Sequence, residues 1–279
     1  MKTIEIASES EVIEIFDLVR QVFPSNGLVN LGVDVLRENI RQKNYISFIA
    51  RIDNRIVGHA GVLVNDGISF LGGLVVSPEF RGRGIGRKLA DSRTSYCLEE
   101  DRVSHIVLYS ILNHRNSQTF YDDSFIPVGL CVEQKNKFSP GDPLYQLSSS
   151  YEIVLCRPKF NRERRIISNG GLILSDRIQE IYNSINIKIE FNEGSKTLDG
   201  YITKEQMIGI DLSSPYAKSF TQDCLNQDYI FTGLLPNCQK GLGILGFAKN
   251  NQFLKEVIKY KPRVASRDRF IESIFGGDF

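Results

Sequence analysis

The chain has 279 residues, 42% of them apolar and 24% charged, with a formal net charge of +1. This length suits two domains of ordinary size, and the balanced charge excludes a dedicated nucleic-acid or anionic-membrane surface. No apolar run approaches the roughly 18 residues of a bilayer-spanning helix, and the polar start Met1-Lys2-Thr3-Ile4-Glu5 reads as a first strand rather than a signal segment.

Ser8-Glu9-Ser10-Glu11 has the form of a capping box. Behind it Val12, Phe16, Val19 and Phe23 recur on one helical face until Pro24 stops the helix. A second short helix is expected over Asp34–Gln42. Three strands follow, Ile46–Ile52, Arg55–Val64 and Ser69–Val76, joined by turns at Asp53-Asn54 and Asp66-Gly67. After Pro78 comes a helix over Ile85–Asp101. A strand over Ser104–Leu112, a short helix over Asn116–Asp123, a strand over Phe125–Val132, a polar loop over Glu133–Leu147 and a strand over Ser148–Arg157 complete the series. Helices alternating with an antiparallel meander give a mixed α/β (α+β) fold class. Residues 158–165 are basic and read as a linker, which divides the chain into domains at 1–157 and 166–279.

Five cysteines occur, Cys97, Cys131, Cys156, Cys224 and Cys238, without a Cys-x-x-Cys pair. This argues against a disulfide framework and fits a reducing cytoplasm. The three histidines, His59, His105 and His114, form no metal-ligand motif, so no metal is expected.

The stretch Leu74-Val75-Val76-Ser77-Pro78-Glu79-Phe80-Arg81-Gly82-Arg83-Gly84-Ile85-Gly86-Arg87-Lys88 carries the chemistry. An apolar strand runs into a glycine-rich turn that opens a helix. The first helical N–H groups lack intrahelical partners and sit at the positive end of the dipole, so a phosphate can bind there. Glycines let the backbone approach it, and Arg81, Arg83, Arg87 and Lys88 add positive charge. A P-loop is excluded because no Gly-Lys-Ser/Thr follows, and a dinucleotide fingerprint because Gly82-x-Gly84-x-Gly86 has the wrong last spacing.

This module resembles the GNAT N-acetyltransferases, whose signature is an apolar strand, often V-x-P, followed by [Q/R]-x-x-G-x-[G/A]. Val76-Ser77-Pro78 matches the first part, and Arg81, Gly84 and Gly86 the second. The resemblance covers roughly residues 1–157. It implies acetyl-CoA as co-substrate, with Leu74, Val75 and Val76 on the pantetheine arm and Gly82, Arg83, Gly84, Ile85, Gly86 and Arg87 on the pyrophosphate. It also implies direct attack of an amine on the thioester.

The family's Tyr-x-x-x-Gly-Phe has a counterpart in Phe120-Tyr121-Asp122-Asp123-Ser124-Phe125. Tyr121 is one residue off the family position, about 100° around a helix, and Ser124 replaces the glycine. Tyr121 is the candidate acid for the leaving thiolate. His114, just past the expected fifth strand, is the candidate base. Asn113 and Asn116 are candidates for the pantetheine arm, and Tyr109 and Ser110 are further strand-end candidates.

Shifting the chain by 104 residues lays Ser117-Gln118 on Thr221-Gln222 and Phe125-Ile126-Pro127-Val128-Gly129-Leu130 on Tyr229-Ile230-Phe231-Thr232-Gly233-Leu234. Met207–Leu212 precedes this second copy as a strand, and Gly243–Lys249 would close it. The match reads as a duplicated strand–helix–strand–strand unit, a degenerate GNAT-like half without a phosphate loop that would wall the acceptor site. Three functions stay open: acetyl transfer to a primary amine, of a small molecule first and a protein second; transfer of a longer acyl chain; and a non-catalytic acyl-CoA sensor. The protein is expected to be a monomer or homodimer, with no nucleic-acid or membrane partner.

Overall fold

The computed structural model describes residues 3–24, 27–65, 67–111, 120–121, 124–133, 150–158, 164–168, 187–191, 201–204, 207–211, 217–227, 229–237 and 241–249. They fall into two compact units. The first holds the described residues up to Ile106, and the second holds Val107–Glu133 and those from Ser150 onward. Mixed α/β structure, as expected, runs through both.

In the first unit β1 (Thr3–Ile6) leads through a short 3-10 turn, Glu9–Glu11, into α1 (Val12–Val22). The Glu11 carboxylate accepts from the Ser8 backbone N–H at 2.6 Å and from its hydroxyl at 2.8 Å, which satisfies donors that a helix start leaves orphaned. The expected stripe is present: Val12, Ile15, Leu18, Val19 and Val22 are buried, with Phe16 and Phe23 packed beside them. A five-residue helix, α2 (Gly27–Leu31), was not foreseen; α3 (Val33–Arg41) was.

The meander is β2 (Tyr45–Ile52), β3 (Arg55–Asn65) and β4 (Ile68–Val76). Strands β1 to β4 pair antiparallel in chain order. Asp53 and Asn54 take positive φ, 48° and 63°, between the paired residues Ile52 and Arg55. This two-residue turn matches the strand twist, and its side chains tolerate the left-handed region. Arg51 binds Glu5 at 2.7 Å and also Glu11, fastening β2 to the start of the chain. Helix α1 packs on β3 and β4, and α4 (Ile85–Glu99) packs on β2, β3 and β4.

The second unit contains β5 (His105–Ile111, whose first two residues belong to the first unit), β6 (Ile126–Glu133) and β7 (Ser150–Pro158). It continues with β8 (Arg164–Ser168), β9 (Ile187–Phe191), β10 (Tyr201–Lys204), β11 (Met207–Asp211), α5 (Ala217–Asn226), β12 (Tyr229–Asn237) and β13 (Gly241–Lys249). Strands β8 and β9 form a separate parallel pair, and the rest run β5-β7-β6-β12-β13-β11-β10.

That order is mirrored about the β6–β12 seam: β5-β7-β6 on one side, β11-β13-β12 on the other. At the seam Gly129 pairs antiparallel with Gly233, and the two are the residues that the 104-residue shift superposes. The ladders repeat too. β6 slips against β7 between Pro127 and Gly129, and β12 slips against β13 between the equivalent Phe231 and Gly233. Antiparallel pairing of two equivalent residues is the local geometry of a two-fold axis.

Three expectations shift. Phe120 and Tyr121 lie in a bend, not on the short helix expected over Asn116–Asp123, so the 100° helical offset does not apply to Tyr121. The remaining residues of that expected helix, 116–119, 122 and 123, lie outside the described residues. In the expected linker, Pro158 closes β7, while Arg164 and Arg165 open β8, continuing the β-branched Ile166-Ile167; residues 159–163 lie outside the described residues. Gly241 and Leu242 belong to β13 rather than preceding it.

Gly233 has φ +110°, and a Cβ there would meet the Val128 carbonyl at 2.4 Å and the Gly129 Cα at 2.5 Å. Both obstacles are backbone. Gly233→Ala is therefore expected to cost about 2–4 kcal/mol and to lower the thermal midpoint, read by calorimetry. An unchanged midpoint would rule out this close seam.

Candidate functional site

Strand β4 leaves the sheet with the Ser77 N–H on the Val57 carbonyl at 2.9 Å. Pro78–Phe80 makes one 3-10 turn, with Phe80 N–H donating to Ser77 at 2.9 Å and Arg81 N–H to Pro78 at 3.2 Å. Gly82 (φ +75°) and Gly84 (φ +71°) then reverse the chain in the left-handed region, and Gly84 is the N-cap of α4. The Lys88 N–H reaches the Gly84 carbonyl at 3.2 Å as the helix begins, so the N–H groups of Ile85, Gly86 and Arg87 precede the helical ladder. A Cβ at Gly82 or Gly84 would meet nothing within 4 Å, and the first turn of α4 holds no acidic residue. The buried Ile85 and Leu89 fix the helix start against the sheet.

The cations around this turn are exposed and held mostly by backbone. Arg81 Nε donates to the Val76 carbonyl at 3.1 Å, and an Arg83 guanidinium nitrogen to the Glu79 carbonyl at 3.2 Å. Arg83 also lies over the Phe80 ring, 5.1 Å from its centre. Arg87 pairs with Asp91 at 3.0 Å, one turn into the helix. An exposed pair of this kind contributes about 1 kcal/mol at most, so the guanidinium can turn to an anion at little cost. The structure thus brings together Arg81, Gly82, Arg83, Gly84, Ile85, Gly86 and Arg87 in a positively charged nest of the anion-binding type.

Upstream, Val75 is buried, and Leu74 and Val76 are half-buried. The ladder between β3 and β4 pairs His59 with Val75 and Gly61 with Gly72. Gly73 and Leu74 therefore oppose the single residue Ala60, and Gly73 has φ +58°. This is a β-bulge with glycine in its left-handed position. It was missed in the sequence, where the Gly72-Gly73 pair inside a strand was the available signal.

Three side chains close on the bulge. His59, fully buried on β3, bonds the Gly73 carbonyl through Nδ1 at 2.8 Å and the Ser47 hydroxyl through Nε2 at 3.2 Å. A carbonyl only accepts, so Nδ1 carries the proton and Nε2 accepts from Ser47. Burial, with help from the nearby Arg93 cation, outweighs the bond to Gly73 and pushes His59 down to about 4. Arg93, 2% exposed on α4, donates to the Gly72 carbonyl at 2.7 Å and to the Gly61 carbonyl at 3.3 Å. Tyr45 stacks on the His59 ring with centroids 6.3 Å apart, and burial pushes its phenol up.

Asn113, His114 and Asn116 lie outside the described residues. Tyr121 belongs to the second unit, is 7% exposed, and packs edge-on against Phe125 with ring centroids 4.9 Å apart. On β5, Tyr109 is exposed and Ser110 buried.

The His59 ring titrates near 6.5 when unfolded and near 4 when folded. Between those values the unfolded chain binds a proton that the folded chain refuses, so stability falls as pH drops from about 6.5 to 4, by up to about 3 kcal/mol. His59→Asn, which keeps a donor for Gly73 but does not titrate, should remove that part of the acid loss in denaturant midpoints measured across this range. Parallel curves for the two proteins would refute the assignment.

Residues 13–125 match the sequence model of the Acetyltransferase (GNAT) family. No relative is found among curated proteins. Similar solved structures include an acetyltransferase of the GNAT family from Streptococcus pneumoniae, 12% identical with TM-score 0.46, which covers 57% of this chain and 99% of its own. Another is the ribosomal-protein-S18-alanine N-acetyltransferase from Escherichia coli, 14% identical with TM-score 0.46, covering 63% and 99%. A chimera of the Vibrio cholerae spermidine N-acetyltransferase and hSSAT is 16% identical with TM-score 0.45, covering 58% and 99%. Over residues 13–125 the chain is therefore similar to the GNAT family, whose chemistry is acyl-CoA-dependent N-acetyl transfer.

Proposed function

We propose that the protein transfers acetyl from acetyl-CoA to a primary amine of a small molecule, by direct attack within a ternary complex. The observation that carries this reading is the open nest at the start of α4, with Gly82 and Gly84 at positive φ and space for an anion above both. In this reading the N–H groups of residues 82–87 hold the pyrophosphate, with Arg81, Arg83 and Arg87 around it. The backbone of Leu74, Val75 and Val76 pairs with the pantetheine arm, and Asn113 and Asn116 contact it further along.

The neutral amine's lone pair attacks the thioester carbonyl carbon. The C–N bond forms, the C–S bond breaks, the nitrogen loses a proton and the CoA sulfur gains one. We assign His114 as the base and Tyr121 as the acid. Holding both reactants in line supplies much of the acceleration in such a scheme. The near-zero net charge supports a small acceptor over a strongly charged polymer.

The acetyltransferase module is read as residues 1–157, and residues 166–279 as a degenerate copy of its strand–helix–strand–strand half. Support comes from the pairing of Gly129 with Gly233 and from the matching slips in β6 and β12. The second copy lacks the arginine–glycine loop, so CoA binds once per chain.

Calorimetric titration of acetyl-CoA tests the cofactor site. Wild type should bind, and Arg81→Glu/Gly84→Asp should weaken binding on the order of 100-fold, about 3 kcal/mol. A folded wild type that does not bind overturns the reading. In a thiol-release screen, diamines, amino sugars and amino acids should outpace peptide N-termini, and the reverse order would make the acceptor a protein.

A further inference from the structure

The β4 bulge is clamped from two elements at once, by groups that the acyl-transfer scheme above does not use. Arg93 from α4 holds the Gly72 carbonyl at 2.7 Å, and His59 from β3 holds the next one, Gly73, at 2.8 Å. A trans peptide unit is planar, with its N–H directed opposite to its C=O. Fixing the Gly72 carbonyl therefore aims the Gly73 N–H, and fixing the Gly73 carbonyl aims the Leu74 N–H, each away from its clamping side chain. Leu74 opens the segment assigned to the pantetheine arm, so these two donors sit at the thioester end of the arm.

The clamp also acts electrically. Arg93 is a buried cation that donates to two backbone carbonyls, those of Gly61 and Gly72. Burying a guanidinium is costly, and a core helix facing a sheet has no need of one. A cation on a peptide oxygen withdraws charge from that unit and strengthens its N–H as a donor. It also favours negative charge developing on an oxygen nearby in a medium of low dielectric. His59 serves the same end: kept neutral, with its tautomer fixed by Ser47, it is a permanent donor to Gly73.

Arg93 lies eight residues beyond Ile85, about 12 Å along the axis at 1.5 Å per residue. One rigid helix thus carries both the phosphate nest and the clamp on the bulge.

From this arrangement we infer that Arg93 and His59 are positioning residues for acetyl transfer: they aim the Gly73 and Leu74 N–H groups at the thioester carbonyl oxygen and polarise it. The inference rests on the acetyl-CoA reading of this site. It needs no acceptor to be tested, because acetyl-CoA labelled with carbon-13 at the thioester carbonyl reports its own polarisation in difference infrared spectra. Bound to wild type, the carbonyl band should move to lower wavenumber than in free acetyl-CoA. Arg93→Lys and His59→Leu should each lose about half of that displacement or more, while the calorimetric Kd for CoA, which has no carbonyl at this point, stays within about threefold. His59→Asn, which keeps the donor, should retain it. A variant that merely loosens the fold would weaken CoA as well. If Arg93→Lys fails to fold, the contrast between His59→Leu and His59→Asn carries the test. Wild type binding acetyl-CoA with an unmoved band, or variants keeping the full displacement, would overturn this inference and leave the cofactor site standing. Absence of binding by wild type would remove both.

Discussion

The first unit depends on how β4 ends. A strand can run into a helix whose first amides stay open only if the chain reverses without burying them, and two glycines at positive φ do this within three residues. Around that reversal everything else is anchorage. Ser77 keeps the strand end on β3, Ile85 and Leu89 seat the helix on the sheet, and Arg81 ties back to the Val76 carbonyl it has just left. Arg81 and Arg83 are steadied by carbonyls, Arg83 also by an aromatic face, and Arg87 by an exposed ion pair with Asp91 that exchanges for another anion at little cost.

The same strand is irregular a few residues earlier. The bulge at Gly73 interrupts the ladder, and His59 and Arg93 converge on it from the neighbouring strand and helix. An interior histidine kept neutral and an interior guanidinium on backbone carbonyls both oppose the ordinary preference for apolar cores. The strand therefore combines regular pairing at its end with a held irregularity upstream. Sheets commonly take on such a feature beside a reaction centre.

The second unit follows a different constraint. Its seam joins two strands at equivalent glycines, where a side chain on Gly233 would collide with the backbone of Val128 and Gly129. The mirrored strand order and the repeated slips place a local two-fold axis within one chain.

The sequence by itself determined the elements whose signals are local. The capping box, the stripe Val12–Phe23, the Asp53-Asn54 turn and the glycine-rich helix start all declare themselves within a few residues, because caps, turns and helical faces are short-range chemistry. The 104-residue match was also legible, being a comparison of the chain with itself. Only the tertiary structure decided what long-range contact creates. Phe120 and Tyr121 lie in a bend rather than in helix, and β8 took up residues read as linker. The roles of His59 and Arg93 were invisible, because His59 reads as one more strand residue and Arg93 as one more helix arginine. They meet at the Gly72-Gly73 bulge only when β3, β4 and α4 pack together, and no spacing along the chain encodes that meeting.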